Sequence, residues 1–136
     1  MTPPRPPRGL LDTSVVVDLE HVDTTLLPAE IAVSAITMAE LGAGPHATND
    51  VDERSRRQDR LQRAEAVFSA LAFDANAARA YGRIYAAVAA AGRKARGARA
   101  VDLLIAATAL SHGIPLITRN PDDVAHISHL VDVIVV

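Results

Sequence analysis

The sequence predicts an α/β fold in which helices cover both faces of a parallel sheet. Three observations carry that prediction. Apolar runs of strand length occur at residues 9–12, 30–35, 114–118 and 131–136 without polar alternation, the pattern of strands buried on both sides. Stretches with helical spacing of apolar residues lie between them, as the crossovers of a parallel sheet require. The 136 residues contain no internal repeat and no interdomain linker, so residues 9–136 are expected to form one domain.

In chain order, residues 1–8 (MTPPRPPR) read as a flexible basic tail, because proline withholds backbone donors and little else here can pack. "GLLD" at 9–12 predicts the first strand, and Thr13 and Ser14 open a helix over 14–20. "EIAVSA" at 30–35 is the second strand, followed by a helix over 37–43 that "GAGP" stops. A long helix is expected over 50–69, with Leu61, Ala64, Val67, Phe68 and Leu71 at helical spacing. "LAF" at 71–73 marks a third strand, and Asp74 caps a helix over 76–91. The glycine-punctuated basic loop "GRKARGA" leads to a helix over 99–112, ended by Gly113. Strands at 114–118 and 131–136 complete the sheet, with a short helix begun by "NPDD" between them.

Composition excludes several classes of function. The chain has no cysteine, which removes disulfide frameworks and thiolate metal sites and suits a reducing cytoplasm, the expected location. No signal-like apolar region opens it, and no segment has the roughly 18 uncharged apolar residues that a membrane span needs. A net charge of -2 argues against a strongly basic overall field, but the distribution is uneven. Arg79, Arg83, Arg93, Lys94, Arg96 and Arg99 lie between Asp74 and Asp102 with no acid among them. Such a stretch suits phosphate groups, although a solvated helix face accounts for any single one of these residues equally well. Residues 50–65 instead mix five acids with five arginines, as an exposed helix does. With two Tyr, two Phe and no Trp, there are few platforms for stacking bases. His126 and His129, with no further ligand nearby in sequence, read as surface residues.

One carboxylate, Asp102, stands inside the apolar run "RAVDLLIAATAL". A helix that feeds a parallel strand runs antiparallel to it, so this helix begins at the carboxyl edge of the sheet. Asp12 closes the first strand at that edge, Glu40 lies in the helix after the second, and Asn120, Asp122 and Asp123 follow the fourth. Open α/β sheets place their ligand crevices there. Each residue also has a structural account. Thr37 and Glu40 have the spacing of a capping box, Asn120 with Pro121 and Asp123 is a good helix start, and Asp102 in a first turn gains from the helix dipole. Asp12 caps the helix that it precedes, and Asp122 is a solvated first-turn residue. Taken together, however, the carboxylates repel one another, and burial raises the cost of each charge. A hard divalent cation, magnesium or manganese, compensates that charge, keeps several waters and bridges to phosphate oxygens.

"LLDTSVVVDLE", "VSAITMAELGAG", "AVDLLIAATALSHGIPLITRN" and the trailing "PDD" resemble, in order and spacing, the motifs of PIN-domain ribonucleases, most closely the VapC-type toxins of bacterial toxin–antitoxin pairs. The resemblance covers residues 9–126 and implies a three-layer α/β/α sandwich around a mostly parallel sheet, with magnesium- or manganese-dependent endoribonuclease activity. Carried over by position, Asp12, Glu40 and Asp102 match the family's first three acids. Asp123 is expected as the fourth, with Asn120 lining the site; where the family often has Asp-Phe, this chain has Asp123 and Val124. Asp12 and Asp102 are then the expected direct metal ligands, completed by Glu40 and Asp123 through waters or a second ion. Thr13, Ser14 and Thr118 are expected to line the site, and Arg93, Lys94, Arg96 and Arg99 to steer the RNA backbone. The resemblance also implies a VapB-type antitoxin whose C-terminal segment blocks the groove. A homodimer through the helical face of residues 37–70 would fit the apolar side chains of Leu61, Val67 and Phe68.

Two other readings stay open. A non-catalytic PIN-like module would use the same groove to bind RNA or a protein; Asn120 and Val124 keep it open, and the acids at 12, 40 and 102 count against it. Phosphoryl transfer on a small molecule is the other, and such sites commonly need a catalytic lysine. The only lysine, Lys94, lies in the basic loop.

Overall fold

The computed structural model describes residues 6–136, which include five strands and five α-helices. The strands are β1 (Arg8–Leu11), β2 (Glu30–Ser34), β3 (Ala70–Leu71), β4 (Leu116–Thr118) and β5 (Val133–Val135). All are parallel, in the order β3-β2-β1-β4-β5. The helices are α1 (Thr13–Val17), α2 (Ala35–Ala43), α3 (Val51–Val67), α4 (Ala75–Ala90) and α5 (Ala98–His112).

Strand register explains why the strand runs are apolar throughout. Leu10 stands opposite Ala32 and Leu116, and Leu11 stands opposite Val33 and Ile117. Successive residues of a strand point to opposite faces, so these two triplets enter different cores. Leu10, Ala32 and Leu116 pack with Ile84 and Val88 of α4 and Leu103 and Ala106 of α5. Leu11, Val33 and Ile117 pack with Val15 and Val16 of α1, Leu41 of α2 and Ala64 of α3. Helices on both faces make the expected α/β/α sandwich. At Gly9 the sheet leaves no room for a side chain, since an added Cβ would lie 2.9 Å from Pro28 Cγ and 3.0 Å from Ile117 Cδ1.

Several boundaries differ from expectation for identifiable reasons. Arg8 already belongs to β1, and the Pro7 carbonyl accepts the Glu30 N–H at 3.1 Å; residues 1–5 of the expected tail lie outside the described residues. The first helix stops at Val17, and the chain continues in 3-10 turns at Leu19–His21 and Thr24–Leu26. Helix α2 starts two residues earlier than expected because Ser34 caps it, accepting the Thr37 N–H at 3.0 Å. A further 3-10 turn at Gly44–Ala47 is braced by α3, with Arg57 donating to Gly44 O at 2.9 Å and Arg54 to Pro45 O at 3.2 Å. Leu61 and Ala64 of α3 and Phe68 just after it pack into the core while Val67 is exposed, so most of the apolar spacing expected to offer a dimer face is spent inside the fold. "NPDD" opens a 3-10 segment (Pro121–Ile127) broken at Val124, not an α-helix. Among the described residues no helix is long and apolar enough to cross a membrane.

Candidate active site

Because every strand is parallel, the residues after Leu11, Ser34 and Thr118 emerge at one edge of the sheet. Asp12 follows β1 there, its N–H donating to Ile117 O at 2.9 Å. Its extended backbone makes it the N-cap of α1, as expected: Oδ1 accepts the Val15 N–H at 3.3 Å and also the Ser14 hydroxyl. Ser14 Oγ in turn accepts the Arg119 N–H at 3.2 Å, tying the exit of β4 to the first acid. Thr118 is fully buried, and its hydroxyl oxygen accepts the Asn120 N–H at 3.0 Å. It braces the turn from beneath the site, and Asn120 itself is exposed.

Glu40 corrects one expectation. It does not complete a capping box with Thr37, because α2 begins at Ala35 and Ser34 takes the cap. Instead, the Thr13 hydroxyl donates to Glu40 Oε1 at 2.6 Å, joining α1 to α2 across 27 residues of sequence. Asp102 corrects another. With Gly97 as the N-cap, it lies in the second turn of α5, beyond the first turn where the helix dipole acts most strongly.

What raises the Asp102 carboxyl to about 6 is, first, burial, and then the negative charges of Asp123, Asp12 and Glu40, in that order, opposed by Arg99. Three acids from three separate chain segments therefore act on Asp102 at this edge. Asp123, rather than the amide at position 120, contributes the fourth charge. Asp122 is exposed beside it. The donors gathered here are carboxylate and hydroxyl oxygens, the chemistry that hard divalent cations prefer. Among the described residues, no three Asp, Glu or His side chains are already gathered as a metal-holding group.

Arg93, Lys94 and Arg96 are exposed in the loop between Gly92 and Gly97, whose positive φ values of 74° and 57° turn the chain into α5. Arg99, in the first turn of α5, is the loop-side cation that acts on Asp102. Arg119 pairs with Asp18, with Nε 3.6 Å from Oδ2. Sequence reasoning had missed this pair, as well as the buried Ser34–Thr37 pair under the site; the latter is announced by an S-x-x-T spacing at the end of an apolar strand.

A concavity that includes none of the four acids lies on the α3 side of the molecule. A groove of about 520 Å³ runs between α1 with its following turn and α3, floored by Val16, Val17, Leu19, Val67 and Phe68. Arg56, Arg60 and Arg63 of α3 line it, with Glu20 as the acid among its lining residues.

Compared with known proteins, residues 9–130 match the PIN domain family. The chain is 37% identical over 120 residues to Ribonuclease VapC5 of Mycobacterium tuberculosis, covering 86% of each protein. The crystal structure of VapBC-5 from the same organism, a member of the VapBC family of toxin-antitoxin systems, contains a chain of TM-score 0.83 and 35% identity, with 96% of this chain and 98% of that one covered. VapBC2 of Rickettsia felis, solved bound to a DNA fragment, has a chain of TM-score 0.76 and 24% identity over 95% of this chain and 98% of its own, a likeness of fold.

Proposed function

The chain belongs to the PIN-domain family, and on that premise we propose that it is a VapC-type endoribonuclease of a toxin–antitoxin pair, cleaving RNA at Asp12, Glu40, Asp102 and Asp123 with a divalent cation. The observation that carries the site assignment is the convergence of Asp123, Asp12 and Glu40 on Asp102, whose carboxyl is raised to about 6 first by burial and then by their charges. A charge arrangement that unfavourable has a use when a cation compensates it.

Asp12 and Asp102 would hold magnesium or manganese, with Glu40 and Asp123 beside them. The ion would supply an activated water and neutralise charge developing on the phosphate. The chain's own part is preorganisation. Asp12 is locked by Ser14 and the Val15 N–H before any substrate arrives, and Glu40 is locked by Thr13, so neither needs to be ordered during the reaction. Purified protein is expected to cleave RNA with magnesium or manganese, to stop on chelation and to resume on re-addition of the ion. A folded protein that binds RNA but never cuts it under these conditions would make it a binding module instead.

Arg93, Lys94, Arg96 and Arg99 would draw the RNA backbone towards the acids. Replacing Arg93, Lys94 and Arg96 by Ala together is expected to flatten the slope of log affinity against log salt by about 2, from a loss of about 0.7 per phosphate contact. Fluorescence anisotropy on a labelled RNA in chelator reads this directly. An unchanged slope would remove the loop from the interface.

The partner is a VapB-type antitoxin. We assign to part of it the groove between α1 and α3, whose apolar floor and arginine-rich lining suit a segment carrying apolar and acidic side chains.

A further inference from the structure

Thr13 has a single hydroxyl proton and two oxygen neighbours, Glu40 Oε1 at 2.6 Å and Thr37 Oγ1 at 3.1 Å. A carboxylate oxygen can only accept, so the proton belongs to the shorter contact with Glu40. Thr37 must then donate to Thr13, and its own oxygen accepts the Ser34 hydroxyl at 3.3 Å. Each hydroxyl gives one proton and receives one. The sequence of donation therefore runs one way: Ser34 to Thr37 to Thr13 to Glu40.

The relay is anchored where the fold is most rigid. Ser34 and Thr37 are fully buried, and Ser34 Oγ is fixed further by the Thr37 N–H at 3.0 Å. Its far end is an exposed glutamate, a side chain with three rotatable bonds and little else to hold it. Bonds in such chains polarise one another, and a hydroxyl donating to a carboxylate makes the short, strong kind. Because Thr13 directly follows Asp12, the same residue also sets the second acid in register with the first.

We infer that Thr13 is a positioning residue for the metal site, fed by Thr37 and Ser34, holding the Glu40 carboxylate in one orientation relative to Asp12. This rests on the metal-site reading above. Thr13→Val keeps the shape and removes the proton that Glu40 receives. It is expected to weaken manganese binding, measured by electron paramagnetic resonance, by about tenfold, the low end for loss of a group that orients a ligand. Thr13→Ser is expected to restore wild-type affinity. In a Glu40→Ala background, Thr13→Val should change manganese affinity no further, since the group it positions is gone.

Melting temperature without metal reports on folding, and Thr13→Ala repeats the measurement if Val at the first residue of α1 lowers it. Equal manganese affinity in wild type and folded Thr13→Val or Thr13→Ala would overturn the relay and leave the metal site standing. Additive effects of Thr13→Val and Glu40→Ala would do the same. Wild-type protein that takes up no manganese would instead overturn the metal-site reading, and the positioning role with it.

Discussion

Asp102→Asn is expected to reduce RNA cleavage by at least about 100-fold, as loss of a preorganised charged group at a reacting phosphate does, and at the same time to make the metal-free protein more stable. The two effects have one origin. Asp102 has a folded-state value of about 6 against 3.8 for the unfolded chain. The folded state therefore holds the proton more tightly, and ionising Asp102 costs folding free energy. Below pH 3.8 the group is protonated in both states and there is no cost. Between 3.8 and 6 the cost grows as pH rises, and above 6 it is fully present. Screening by water at this partly exposed group leaves about 1 kcal/mol at pH 7.5. Asparagine never ionises, so the variant should melt roughly 3–5 °C higher than wild type at pH 7.5 in chelator. The difference should vanish near pH 4. Added manganese should raise the wild-type Tm and move the variant less, because binding to the folded state alone stabilises it. A variant that melts lower than wild type at pH 7.5 would mean that Asp102 makes a stabilising contact and would count against the site.

The parts of the fold that follow from local pattern were legible in the sequence, and those that depend on tertiary contacts were not. Leu10, Leu11, Ala32, Val33, Leu116 and Ile117 sit in unbroken apolar runs, which is enough to infer a sheet covered on both faces. A parallel sheet with right-handed crossovers then brings Asp12, Glu40 and Asp102 to one edge without further information. Competing local signals produced the errors. Thr37 and Glu40 match a capping box, but Ser34 matches an N-cap equally well and lies nearer the strand end, so it starts α2 first. Glu40 is thereby released to meet Thr13, a contact over 27 residues that no local rule can reveal. In the same way, Leu61, Ala64, Val67 and Phe68 share a helical spacing, and only the position of α1 against α3 decides that Val67 is left outside.

Converting two exposed valines, Val17 and Val67, to Glu together is expected to weaken antitoxin binding by at least about 100-fold, about 3 kcal/mol, while leaving cleavage of RNA unchanged. Both residues line the groove between α1 and α3, and they are 39% and 72% exposed, so neither contributes much to the core. Substitutions at such positions change folding stability by only a few tenths of a kcal/mol. Arg56, Arg60 and Arg63 follow one another at near-helical spacing along the same side of α3. An apolar strip bordered by such a row favours a partner that presents apolar side chains and carboxylates together, and new glutamates on the strip both remove its apolar contact and repel the partner's acids. Calorimetry with the cognate antitoxin measures the affinity, and a cleavage assay with antitoxin present measures the consequence: the variant should continue to cut RNA at antitoxin levels that silence the wild type. Unchanged affinity would show that the antitoxin is held elsewhere. If it were held through the acids alone, Asp102→Asn would alter the complex and the valine substitutions would not, so the two variants together separate grip on the groove from obstruction of the site.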